Sequence, residues 1–151
     1  MIERRKITRS TLSPLLALKV RPDQDGLVAP NAVTIAQAAY EPGSYVWGLW
    51  DRDTAVGLLA MLHPGEADLE EGDDPQGAYI WRLLIGSAFQ GKGYGRAAIA
   101  EAVSQTRSWG LPRLVTSVVD APNSNIGFYE GLGFRPTGAV IDNEIILSRE
   151  V

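Results

Sequence analysis

Apolar and polar positions along this chain fall into short runs of two spacings. Residues 45–50 (Tyr45-Val46-Trp47-Gly48-Leu49-Trp50) are aromatic and aliphatic, and residues 54–63 form a second apolar run. Asp51-Arg52-Asp53 between them predicts a turn, so the pair reads as a β-hairpin. Residues 77–86 and the Val/Thr-rich stretch 113–119 read as two further strands, and residues 134–137 and 144–148 as two short ones linked by a turn through Gly138 and Asp142-Asn143. An Ala-rich run within residues 92–109 has helical spacing and is stopped by Gly110-Leu111-Pro112. Pro30-Asn31 resembles a helix start, with residues 32–40 as a short helix closed by Glu41-Pro42-Gly43. Residues 124–131, carrying Phe128 and Tyr129, read as another short helix. Residues 12–20 read as a first strand ended by Arg21-Pro22-Asp23, and the basic residues 1–10 before it as a flexible tail.

Strands alternating with few helices, an early hairpin and a central strand–helix–strand unit together predict a mixed α/β domain. The length of 151 residues suits one domain, residues 1–151, with no internal repeat. Between the predicted strands 54–63 and 77–86, six of the nine residues 66–74 are acidic, which predicts a solvated loop. The same loop reads alternatively as a cation-attracting rim beside a site for amines.

Composition narrows the chemistry. With no Cys, disulfides, thiol catalysis and Cys-ligated metals are excluded, and with His63 as the one His, so is a multi-His metal site. A net charge of −4 argues against a general nucleic-acid partner. No apolar run approaches the roughly 18–20 residues of a membrane helix, and residues 15–18 are too short for a secretory leader, so the cytoplasm is the default location. His63 reads as structural. The four Trp residues read as core or dimer contacts, with Trp47 and Trp50 as possible walls of an amine pocket through cation–π contact.

The stretch with the sharpest chemistry is Gln90-Gly91-Lys92-Gly93-Tyr94-Gly95-Arg96, where a strand ends and a helix begins. Glycines let the backbone turn tightly and approach a ligand with no Cβ in the way. The first N–H groups of a helix lack intrahelical partners and carry the positive end of its dipole. The combination predicts a phosphate or pyrophosphate site, to which Lys92 and Arg96 add charge; the bland alternative is a glycine-rich connection. The dinucleotide fingerprint G-x-G-x-x-G fails because Arg96 stands at its third glycine, and the P-loop G-x-x-x-x-G-K-[ST] is absent. What remains, Gln-x-x-Gly-x-Gly through Gln90, Gly93 and Gly95, resembles the acetyl-CoA pyrophosphate loop of GNAT-family N-acetyltransferases. A second stretch, Asn123-Ser124-Asn125-Ile126-Gly127-Phe128-Tyr129-Glu130-Gly131-Leu132-Gly133-Phe134, is similar to that family's Asn…Tyr-Glu-x-Leu-Gly-Phe segment and lies one strand after the loop. Within the family, residues 79–85 running into the loop, the Phe134-Arg135-Pro136-Thr137-Gly138 ending followed by Glu144-Ile145, and Val28-Ala29-Pro30-Asn31 resemble bacterial spermine/spermidine acetyltransferases.

The resemblance implies a central sheet of about six or seven mostly antiparallel strands, flanked by about four helices and splayed at the acetyl-CoA site. It implies acetyl-CoA as cosubstrate with no metal, direct transfer to a primary amine with a polyamine favoured, and a homodimer. Residues 91–96 with Gln90 would hold the pyrophosphate, and Leu83, Leu84 and Ile85 would offer backbone groups to the pantetheine arm. Asn123 or Asn125 could touch the cofactor or simply cap a helix. Tyr129 would donate a proton to the departing thiolate, as a phenol of pKa ~10 can. The chain departs from the family where a base is sought: Gly86 stands where an acid is often found just past the strand, Trp81 where others place one near its start, and the Asn123-to-Tyr129 interval is one residue short. No base carries over; Glu41 and the acids of 66–74 are candidates. Other amines, amino acids, aminoglycosides or protein N-termini remain open as acceptors, as does a non-catalytic acyl-CoA-binding module.

Overall fold

Among the described residues, seven strands form one mixed sheet in the order β1-β2-β3-β4-β5-β7-β6, in which only β4 and β5 run parallel. The computed structural model describes residues 2–151. The strands are β1 (Glu3–Lys6), β2 (Ser44–Asp51), β3 (Thr54–Leu62), β4 (Gly77–Ile85), β5 (Arg113–Val119), β6 (Arg135–Ile141) and β7 (Glu144–Glu150). The helices are α1 (Leu12–Leu16), α2 (Asn31–Ala38), α3 (Tyr94–Ser108) and α4 (Ile126–Glu130), with 3-10 turns at Pro22–Gln24 and Ser87–Phe89. This is the mixed α/β architecture the pattern predicts.

Two expectations fail. Residues 12–20 are not a strand; they hold α1. Pro14 sits in the first turn of that helix, where its missing N–H is no loss. Leu15 alone is buried there, and the Asn31 side chain donates to its carbonyl at 2.9 Å. Nor are residues 1–10 a free tail: β1 pairs antiparallel with β2, Glu3 opposite Trp50 and Lys6 opposite Trp47. Its arginines are tied down, Arg4 by Glu101 at 3.2 Å and over the Trp47 ring at 5.0 Å, Arg5 over Trp50 at 5.3 Å. Charged side chains of this kind also protect a sheet edge from pairing with other chains. A smaller difference lies in β6, which runs on through Gly138 to Ile141 with a bulge between Pro136 and Val140, leaving only Asp142 and Asn143 as the turn.

Alternate residues of the strands feed opposite faces. Leu59, Met61 and Ile80 join a cluster beneath α3, which contributes Ala98, Ile99, Ala102 and Val103. Ala55 and Leu58 join Leu15 of α1 and the half-buried Ile35 of α2 on the other side. The first cluster also takes Tyr129 of α4 and the fully buried Phe134, so the end of the chain closes the same core as the central helix.

The pairing of β4 with β5 stops early. Four rungs run from Gly77↔Arg113 to Ile80↔Thr116, where the Thr116 hydroxyl donates to the Ile80 carbonyl at 3.1 Å. Beyond that rung β4 stays with β3 and β5 stays with β7, so the sheet opens into a wedge. On the β3 side, Ile80 faces Met61 and Arg82 faces Ala60, which leaves Trp81 as an extra bulged residue at the vertex. A bulge bends its strand and increases twist, which helps the strand diverge.

Candidate functional site

A cavity of about 980 Å³ fills the wedge. One wall is residues 81–85 of β4, including Leu83, Leu84 and Ile85, whose edge toward β5 has lost its partner. At the open end lies the glycine loop. Gly91 (φ 75°) and Gly93 (φ 86°) take left-handed conformations, and a Cβ at either would meet no protein atom within 4 Å. Both therefore face open space at a conformation that side-chain-bearing residues avoid. Gly93 is the N-terminal cap of α3, and the first intrahelical bond there runs from the Ala97 N–H to the Gly93 carbonyl. Among the described residues, no acceptor pairs with the backbone N–H groups of residues 91–96. Several consecutive free donors at the N-terminus of a 15-residue helix form the kind of cradle that suits a pyrophosphate.

The loop residues divide by role. Gly91, Gly93, Gly95 and Arg96 line the cavity, and so does Gln90. The Gln90 side chain is already engaged: its amide donates to the Ile85 carbonyl and to Gln24, each at 2.9 Å, and its oxygen accepts from Arg21 at 2.8 Å. It braces the loop against the end of β4. Lys92 and Tyr94 do not line the cavity. Tyr94 turns toward the β2–β3 turn, where its hydroxyl donates to Asp51 at 2.5 Å; that bond holds the Asp51 carboxyl below its usual range and the phenol above its own. Asn123 and Asn125 both line the cavity. Asn125 stands at the start of α4 but makes no side-chain cap, and the Asn123 amide donates to the Asp23 carbonyl at 2.7 Å, tying the loop after β5 to the 3-10 turn at Pro22–Gln24.

Tyr129 lines the same cavity near the vertex, 4% exposed and wedged between Phe128 and Phe134 with ring centroids 5.1 and 5.4 Å away. Burial pushes its hydroxyl up to about 12, with the neighbouring Thr116 hydroxyl working in the opposite direction. It is a proton-bearing donor at neutral pH. Trp47 and Trp50 do not wall this cavity; they stack under the β1 arginines, and it is Trp81 that lines the wedge. His63 packs edge-on to Trp109 at 4.8 Å and accepts from the Gly65 N–H at 3.0 Å, away from the wedge.

A second cavity of about 450 Å³ adjoins the first. The two share Glu41, Leu62, Tyr79, Ser117 and Glu144 as wall residues, so they meet at the vertex. The acidic 66–74 loop forms its far side. Asp74 is clamped by Arg113 through a bidentate pair at 2.6 and 2.9 Å, which anchors the loop to β5 and lowers the Asp74 carboxyl. Among the described residues, six carboxylates apart from Asp74 line this cavity (Glu41, Asp68, Glu70, Asp73, Asp142 and Glu144), and no Lys, Arg or His does. Among the described residues no three such groups close on one point as a metal ion would require. The first cavity, by contrast, carries Arg21, Arg82 and Arg96.

The sequence reading missed the cluster between the two cavities. The Tyr79 and Ser117 hydroxyls lie 2.5 Å apart, and Ser117 donates to Glu144 at 3.3 Å. These residues come from β4, β5 and β7, far apart in sequence. Ser117 interrupts an apolar run and Glu144 opens one, but nothing in either stretch signals that the two meet Tyr79.

Comparison with known proteins agrees with this geometry. The sequence model of the Acetyltransferase (GNAT) family matches residues 16–134. Among curated proteins no sequence matches the chain. Among solved structures, an acetyltransferase from Thermus thermophilus superposes with a TM-score of 0.75 at 19% identity, covering 99% of this chain and 97% of that one. The PaiA N-acetyltransferase from Thermoplasma acidophilum, in complex with coenzyme A, does so at 0.67 and 16%, covering 100% and 99%. The ribosomal-protein-S18-alanine N-acetyltransferase from Escherichia coli gives 0.69 and 15%, covering 100% and 94%. At these identities the likeness is one of fold.

Proposed function

This chain belongs to the GNAT family of acetyltransferases, and on that premise we propose that it moves the acetyl group of acetyl-CoA directly to a primary amine, with a polyamine such as spermidine or spermine favoured. The observation that carries the acceptor class is the second cavity: walled by carboxylates, free of basic side chains, and joined to the first at the vertex of the splayed sheet. A flexible polycation is the acceptor whose charges such a cavity complements over its whole length. The sequence resemblance to spermine/spermidine acetyltransferases points the same way.

In this reading the two cavities take the two substrates. The backbone N–H groups of residues 91–96, supplemented by Arg96, hold the pyrophosphate, while the freed edge of β4 at Leu83, Leu84 and Ile85 takes the amide-bearing pantetheine arm as a sheet takes a strand. Acetyl-CoA supplies an activated thioester. The chain's own contribution is to place an uncharged amine against it and to receive the departing sulfur. At pH 7 only about 0.04% of an alkylamine of pKa ~10.4 is neutral, a cost of about 4.6 kcal/mol, so proton removal is the larger task. At the other end the Tyr129 hydroxyl supports the thiolate as it forms.

The test is to incubate the purified protein with acetyl-CoA and a panel of amines and follow release of free thiol. Spermidine and spermine are expected to give the highest kcat/KM, ahead of an aminoglycoside, amino acids and a peptide N-terminus. Turnover confined to a non-polyamine would remove the acceptor assignment, and acetyl-CoA binding with no turnover on any amine would favour a non-catalytic acyl-CoA-binding module.

A further inference from the structure

Tyr79, Ser117 and Glu144 form a hydrogen-bonded chain whose direction is fixed by chemistry. A carboxylate only accepts, so Ser117 donates to Glu144 at 3.3 Å, and Tyr79 in turn donates to Ser117 at 2.5 Å. Burial raises the Tyr79 phenol, and Ser117 opposes this; the phenol therefore keeps its proton at neutral pH. The lone pairs of Tyr79 and the carboxylate of Glu144 are left as acceptors at the point where the two cavities meet, since all three residues line both.

Glu144 is also held in place. It is the first residue of β7 and pairs with Val119 of β5 on one side and Ile141 of β6 on the other. The turn before it is tight, with Asp142 and Asn143 both at positive φ (51° and 65°), the pattern that two-residue hairpin turns require. Glu41 borders the same junction but is exposed, and no hydrogen bond or ion pair within the described residues fixes its carboxylate. The charged and titratable groups facing the junction are Glu41 from the loop after α2, Asp73 from the acidic loop, Arg82 and Tyr79 from β4, Tyr129 from α4, and Asp142 from the β6–β7 turn.

We propose that Glu144 is the proton acceptor of the reaction, taking the ammonium proton of the acceptor either directly or through Tyr79 and Ser117. This rests on the acetyl-transfer reading above. In the relayed form the ammonium gives a proton to the Tyr79 oxygen, Tyr79 passes its own to Ser117, and Ser117 passes its own to Glu144; the two hydroxyls end unchanged and the carboxylate is protonated. The neutral amine then forms the C–N bond as the C–S bond breaks, and the second nitrogen proton goes to sulfur by way of Tyr129. Glu144 returns its proton to solvent through the acid-lined cavity, so one proton is released per amide formed.

The experiment uses spermidine as probe with acetyl-CoA in excess. Glu144→Gln should lower kcat/KM for spermidine at pH 7 by ~10²-fold or more, with the KM for acetyl-CoA unchanged. The loss should shrink steeply toward pH 9.5, where about 10% of the amine is already neutral, because the missing base is then less needed. Ser117→Ala and Tyr79→Phe should show smaller losses, about 10-fold, with the same recovery, and they are read instead if Glu144→Gln does not fold. A Glu144→Gln enzyme within about threefold of wild type, or one whose loss is the same at every pH, overturns the assignment while leaving acetyl transfer intact. Wild-type protein that acetylates no amine removes the acetyl-transfer reading, and this assignment with it.

Discussion

At the scale of single residues, Tyr129 shows how burial defines a role. Its hydroxyl is pushed up to about 12 by a setting that is apolar except for Thr116 and Tyr79. A thiol titrates near ~8.5, so handing the proton wholly from this phenol to a thiolate would be uphill by roughly 5 kcal/mol. A hydrogen bond to the developing thiolate, with the net proton arriving from the amine nitrogen, avoids that cost. Tyr129→Phe keeps the ring packing against Phe128 and Phe134 and removes only the donor. It should lower kcat by on the order of 10²-fold, with the KM for acetyl-CoA within about twofold and stability within about 1 kcal/mol. Steady-state kinetics beside a denaturant titration would check this; equal losses in kcat and stability would mean the hydroxyl serves only the fold. Tyr129 was legible in the sequence because it sits inside a contiguous motif. Glu144 was not, since its partners Ser117 and Tyr79 lie 27 and 65 positions away and reach it only through the strand order β4-β5-β7.

At the scale of elements, the junction of β4 and α3 joins fold to function. The same local signals that make Gly93 a helix cap also leave a run of backbone donors facing open space. Gly93→Ala separates the two contributions. Its Cβ would meet no protein atom, so the fold loses only the left-handed penalty, about 1–2 kcal/mol. Acetyl-CoA binding should weaken more, by ~10-fold or beyond, because the methyl group projects where the pyrophosphate must approach. Calorimetric titration with acetyl-CoA would show it, and unchanged affinity would place the pyrophosphate elsewhere. This junction was readable because its glycines, its strand and its helix are adjacent in sequence. Residues 12–20 misread for the opposite reason: their apolar run suits strand or helix, and what selects α1 is burial of Leu15 against Ala55 and Leu58 of β3 and the bond from Asn31, both tertiary. The basic start misread likewise, since Arg4 and Arg5 are held by Trp47, Trp50 and Glu101 in distant elements.

At the scale of the whole molecule, a net charge of −4 conceals a partition. Arg21, Arg82 and Arg96 line the wedge beside the shared Glu41 and Glu144, whereas the charged side chains that line the adjoining cavity are, among the described residues, all acids. Each suits a substrate of opposite sign, and the vertex where they meet holds Tyr79, Ser117, Glu144 and Tyr129. The acidic block of residues 66–74 was visible from composition; most of its acids are exposed, as a solvated connection requires, and Arg113 anchors it through Asp74. That it lines the second cavity follows from the Asp74–Arg113 anchor on β5, a contact between distant segments that no local pattern encodes. The partition predicts a graded response to salt. Screening shortens from about 10 Å at 0.1 M toward ~4 Å near 0.5 M, which removes most attraction between exposed charges. Raising salt over that range should increase the KM for spermidine by on the order of 10-fold while leaving kcat nearly constant, and should change the KM of a monoamine of similar length by less than about threefold. The comparison between the two amines matters more than either value, because salt also weakens the hold of the arginines on an anionic cosubstrate and that loss is common to both. A polycation and a monocation that respond alike would show that the acceptor does not lie along the acid-lined cavity, whatever group removes its proton.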